Sequence, residues 1–224
     1  KGPALMLLRY AIAALALIVT PMMAAAEVEL SFYTGAQESP HSRVSGTDPG
    51  NAVNSTLDFT AGWEGKSFDP PPYYGLRATW WRNGNFGFGA ELTHAKIYAD
   101  PDTLTNNGFS RLEFTDGINI LTANAMYRWP DRWGNFTPYV GGGIGLSIPN
   151  VEVVSAGGST KEYQITGPAV RWIAGASYAI NDRWSVFGEY QGTYSMNDAK
   201  LENGGTLSTD IITNAVNVGV AFSF

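Results

Sequence analysis

Cysteine is absent from the chain, which excludes a disulfide framework, a thiolate nucleophile and a thiolate metal site. Histidine occurs only at His41 and His94. Charged residues make up 15%, well below the roughly 25% of soluble domains. Beyond residue 26 no stretch approaches the roughly 18 consecutive apolar residues of a membrane-spanning helix. The net charge is −6, a poor balance for binding nucleic acid. Against these shortages stand 13% aromatic residues and 26 glycines. Few charges, many aromatics and no helix signal point to a β-barrel in lipid, whose closed sheet supplies the stability that disulfides give small exported modules.

The first residues carry an export pattern. Arg9 is a positive flank, Tyr10 to Val19 is apolar, Pro21 breaks the run, and Ala24-Ala25-Ala26 offers a small-x-small cleavage site. That order reads as a cleavable signal peptide over residues 1–26, preceded by a few upstream residues before Met6. Residues 27–224 are then the exported domain, and losing Lys1 and Arg9 makes it more acidic still.

Period-2 patterning runs through that domain. In Val216 to Phe224 every even position is large and apolar and every odd one small or polar. A terminal Phe behind such alternation resembles the assembly signal that outer-membrane proteins present to their insertion machinery. The same alternation marks Tyr73 to Arg82, Phe86 to Ala99, Asn119 to Trp129, Phe136 to Ile148, Thr166 to Ile180 and Trp184 to Met196, with Val28 to Thr34 as the first strand. Short connections, among them Asn83-Gly84, alternate with long polar ones at Asp100 to Arg111, Asn150 to Tyr163 and Asn197 to Ser208. Short periplasmic turns and long extracellular loops are the habit of bacterial barrels. Trp129, Trp133 and Trp184 lie beside the short turns, as an interfacial girdle requires.

The expected fold is therefore all-β: a transmembrane, antiparallel, up-and-down barrel of eight strands. A long first extracellular region spans residues 37–72, and Leu57 to Trp63 forms a hairpin arm within it. Ten strands stay open as the alternative, because that arm also alternates. A lumen of eight strands is filled by its own side chains. Inward-facing Arg77, Glu91, Arg128, Arg171 and Glu189 must then pair with one another. Gly84 to Gly89 is glycine-rich but opens a strand, which excludes a dinucleotide loop.

Candidate chemistry lies at the extracellular rim. His41, His94 and the proline-stiffened Trp63 to Tyr74 segment, with Glu64, Lys66 and Asp69, all fall there. Two histidines and a carboxylate (Glu64, Asp69 or Asp116) could hold a divalent metal, although the spacing does not demand it. A serine hydrolase lacks its Gly-x-Ser-x-Gly elbow.

Thr137 to Gly145, Ala174 to Tyr178, Asn181 to Trp184 and Glu189-Tyr190 resemble small outer-membrane barrels in general. Glu29 to Tyr33, Gly62 to Phe68, Pro72 to Arg77 and Glu91 to Lys96 resemble the lipid A oxidase of rhizobia more narrowly. That resemblance implies a Gram-negative outer-membrane location, lipid A or lipopolysaccharide as partner, and oxidation of the proximal glucosamine to 2-aminogluconate. Molecular oxygen is the co-substrate and hydrogen peroxide the by-product. No catalytic motif comes with it. The rim residues supply the site expectation: His41, Glu64, Asp69 and His94 for catalysis, with Lys66 and Lys96 contacting headgroup phosphate and a divalent metal as the candidate cofactor. A non-enzymatic structural or adhesive barrel is the alternative, and a lipid A acyl hydrolase or acyltransferase ranks below both.

Overall fold

A computed structural model describes residues 27–130 and 132–224; the expected signal peptide lies outside them. The chain runs β1 (Glu27–Glu38), β2 (Ser42–Thr47), β3 (Thr56–Ala61), β4 (Trp63–Glu64), β5 (Tyr74–Arg82), β6 (Phe86–Ala99), α1 (Pro101–Asn107), β7 (Phe109–Arg128), β8 (Phe136–Ser155), β9 (Gly158–Tyr163), β10 (Gly167–Ala179), β11 (Trp184–Lys200) and β12 (Thr206–Ser223). Neighbouring strands pair in the order β1-β5-β6-β7-β8-β10-β11-β12, and β12 returns to β1 from Glu29↔Ser223 to Glu38↔Asn214. The sheet thus holds twelve strands where eight were expected. Eight close the barrel; β2, β3, β4 and β9 are additions at one end. Leu57 to Ala61 belongs to β3, which forms a hairpin with β2, and β2 pairs with the upper end of β12.

The short connections, Glu27 and Phe224 share one end. There Phe86 meets Tyr127, Tyr127 meets Trp129, Phe136 meets Tyr178, and Trp184 meets Phe222, forming an aromatic girdle. In bacterial barrels this is the periplasmic end.

The expected long polar loops are largely strand, which corrects the reading of Asn150 to Tyr163 and Asn197 to Ser208. β7 and β8 run 20 residues each, whereas a tilted strand crosses a bilayer in about 9–11. The surplus stands above the membrane, and its patterning inverts. Within the membrane, Phe88, Leu121, Ile144 and Val216 face out and are exposed. Above it, Ile97, Leu112, Phe114, Val151, Val153 and Leu207 turn inward and form an apolar core closed by β2, β3 and Trp63. Lipid rewards apolar side chains on the outside and water rewards them on the inside, so one wall changes its apolar face where it leaves the bilayer. Between β6 and β7 the chain forms α1, capped by Asp100, which accepts from the Thr103 backbone N–H at 2.7 Å, and ended by left-handed Gly108.

Below the apolar core the lumen is filled by ions. Arg77 donates to Glu91 (2.7 Å) and Glu189 (2.7 Å), and Arg171 reaches Glu91 at 2.5 Å. Tyr33 donates to Glu91 at 2.5 Å, Tyr139 to Glu189 at 2.7 Å and Asn124 to Glu91 at 2.7 Å. Two cations face two carboxylates, so the buried cluster is neutral. Arg128 does not join it: it pairs with Glu27 at 2.5 Å near the periplasmic mouth, its guanidinium over Trp81. A Cβ at Gly143 would lie 1.9 Å from Asn124 Oδ1, so the glycine row of β8 makes room for these lumen side chains.

Candidate functional site

The site candidates lie on the outer wall. β6 alternates Glu91 and Thr93 into the lumen with Phe88 and Leu92 outward, and His94 shares the outward parity. It pairs with Tyr74 of β5 on one side and Asn119 of β7 on the other, and Asn119 pairs with Ile148 of β8. This row lies at the height where the apolar pattern inverts, which is the outer membrane–water boundary of the barrel.

His94 is nonetheless only 4% exposed. The Tyr74 ring stacks on it at 5.1 Å. On β7 the register slips between Glu113 and Ile118, and the slipped segment holds Asp116 and Gly117 at φ 52° and 85°. Gly117 lies against the imidazole so closely that an added Cβ would sit 2.4 Å from ring atoms. A bulge on a neighbouring strand thus covers an outward side chain, and no sequence signal beyond one glycine announces it. Nδ1 meets Asn119 Oδ1 at 3.0 Å, while Nε2 is buried without a protein partner.

The Trp63–Tyr73 segment continues the wall above β5. β4 pairs with β6 through Trp63↔Ala99 and Glu64↔Tyr98, and Ser67 Oγ accepts from the Gln37 backbone N–H at 2.8 Å. Lys96 is 2% exposed, and its ammonium donates to the carbonyl oxygens of Asp69 (3.2 Å) and Pro70 (3.0 Å). It is a buried strut beneath the proline segment, not a cation open to a headgroup phosphate, and Lys66 is the more exposed of the two lysines. That half-exposed ammonium sits 4.5 Å from the Tyr98 ring centre and 3.8 Å from Glu64. Glu64 and Asp69 are exposed, and Phe68, which lies between them in the chain, is 77% exposed.

Tyr98 was not singled out from the sequence. It begins a cross-strand row that continues through Glu113 and Glu152 to Lys161. The facing glutamates are offset by Arg111, 3.4 Å from Glu113 and 2.7 Å from Glu152, and by Lys161, 2.8 Å from Glu152.

His41 lies elsewhere. It is exposed before β2 and acts electrostatically on Asp100, whose carboxyl is held below its usual range chiefly by hydrogen bonds from Thr103. Asp100 is six residue steps beyond His94, just past the end of β6, roughly 20 Å away at about 3.3 Å per step. The two histidines do not share a site. Among the described residues no three of His, Asp and Glu gather into a group able to hold a metal ion.

The closed sheet, lipid-facing belt and aromatic girdle define a small transmembrane β-barrel. Three solved structures share its fold, each with a TM-score of 0.50: Neisserial surface protein A (16% identity, covering 89% of this chain and 97% of that one), OprG from Pseudomonas aeruginosa (13%, 89% and 96%) and AlkL solved in lipid bilayers (14%, 92% and 95%). No curated protein matches the sequence. The family model of the outer membrane protein beta-barrel domain matches residues 12–224, and the chain belongs to that family. It resides in the outer membrane of a Gram-negative bacterium, in contact with lipid and lipopolysaccharide.

Proposed function

We propose that this barrel is a lipid A oxidase working on its outer wall. The observation that supports the reading is the outer-wall group of Lys66, Tyr98, Glu64 and Asp69 above the lipid-facing belt, with His94 at the boundary row below it, buried beneath the Asp116–Gly117 bulge. The resemblance of Gly62 to Phe68 and Glu91 to Lys96 to the rhizobial enzyme supplies the reaction. The anomeric carbon of the proximal glucosamine loses hydrogen from carbon and from its hydroxyl. Oxygen takes both electrons and both protons and leaves as hydrogen peroxide. Water opens the resulting lactone to the 2-aminogluconate acid, a net gain of one oxygen atom.

His94 Nε2 accepts the hydroxyl proton, a task suited to imidazole near neutral pH. A headgroup reaches the ring by displacing the Asp116–Gly117 bulge. Lys66 holds a headgroup phosphate, and Glu64 and Asp69 offer acceptors to sugar hydroxyls. The test is a mass spectrum of lipid A from cells with and without the protein, with and without aeration. A gain of one oxygen atom only with both protein and air is expected. Lipid A unchanged by the protein in air overturns the proposal and leaves a structural or adhesive barrel.

A further inference from the structure

The contact between His94 and Asn119 decides more than orientation. Asn119 Nδ2 donates to the Ile148 carbonyl at 3.3 Å, which turns the amide oxygen toward His94. An amide oxygen only accepts, so Nδ1 of a neutral His94 must carry the ring hydrogen. Nε2 is then the ring atom with a free lone pair, and it is the one without a protein partner. Tyr74 stacked on the ring and Gly117 against its edge restrict rotation. Without a partner at Nδ1 the hydrogen is free to move to Nε2, where it would block proton acceptance.

We infer that Asn119 is a positioning residue that locks His94 in the Nδ1–H tautomer, so that Nε2 is presented as a proton acceptor toward a hydroxyl-bearing ligand on the outer wall. The catalytic consequence rests on the lipid A oxidase reading; the tautomer does not. A ring held in this way takes a hydroxyl or N–H from its ligand and has nothing to offer an anionic oxygen. Phosphate recognition therefore falls to Lys66, and the two headgroup chemistries are divided between two places on the wall.

The test uses the full protein labelled with nitrogen-15 histidine in lipid bilayers. Its two imidazoles are told apart by the signal lost in His94→Gln. His94 is expected to carry its hydrogen on Nδ1. Asn119→Leu should move that hydrogen to Nε2, and Asn119→Asp, which keeps an acceptor oxygen, should retain it on Nδ1. An Nε2–H signal in the unmodified protein, or an unchanged tautomer in Asn119→Leu, overturns the inference. With lipid A as substrate, Asn119→Leu should lower kcat at least about tenfold with little change in KM, and Asn119→Asp should restore most of it. A switched tautomer with kcat intact also overturns the positioning role. If the tautomer behaves as expected while the unmodified protein oxidises no lipid A, the proposed function fails and the lock stands.

Discussion

Gly117 carries two demands at once: a φ of 85° and an imidazole where its side chain would be. Alanine there would strain the backbone and push His94 from its stack on Tyr74. Gly117→Ala should destabilise the barrel by about 1–3 kcal/mol in urea unfolding from lipid vesicles and should shift the His94 ring resonances. Neither demand is visible in the sequence, because a lone glycine in an alternating strand signals many things. Lys96 is a second residue that sequence alone misplaces. Its charge and rim position suggest a phosphate contact, but the carbonyls of Asp69 and Pro70 have taken it. By contrast, four of the five inward charges read from strand parity, Arg77, Glu91, Arg171 and Glu189, do form one ion cluster; the fifth, Arg128, pairs instead with Glu27 near the periplasmic mouth, a partner that strand parity did not point to.

Helix α1 illustrates what was legible and passed over at the scale of an element. Asp100, Pro101 and Gly108 stand at N-cap, first turn and C-cap, within a stretch read as loop. The Asp100 carboxylate is lowered by hydrogen bonds from Thr103, so its contribution to stability is present at neutral pH and is lost as pH falls through the lowered value. Asp100→Ala should cost about 1 kcal/mol at pH 7, and its difference from the unmodified protein should shrink as the pH drops below about 4. Unfolding measured at the two pH values checks this; a constant difference would show that the charge is not the cap. The extended ends of β8 with β9 and of β11 with β12 were harder to see. Their apolar residues change parity above the membrane, so alternation tuned to lipid reads them as loop. The arm at Leu57 to Trp63 had a visible pattern, and its partner β2 lies just upstream, but what anchors that hairpin to the barrel, the pairing of β2 with β12, spans most of the chain length.

As a whole, the molecule is a barrel closed twice, by a neutral ion cluster within the membrane and by an apolar core above it. Removing one partner of the cluster leaves the others buried and unbalanced. Arg77→Leu should therefore destabilise the barrel by about 3–5 kcal/mol, read by urea unfolding in lipid vesicles. A loss below about 1 kcal/mol would mean that water reaches Glu189 and Glu91. With the lumen filled in this way, the proposed oxidation belongs on the outer wall, where the boundary row holds His94. The most direct measurement compares lipid A spectra from aerated cells carrying the unmodified protein or His94→Gln, with equal amounts of folded barrel in the outer membrane. A gain of one oxygen atom with the former and none with the latter is predicted. Unchanged lipid A with the unmodified protein, or full oxidation by His94→Gln, would contradict the account.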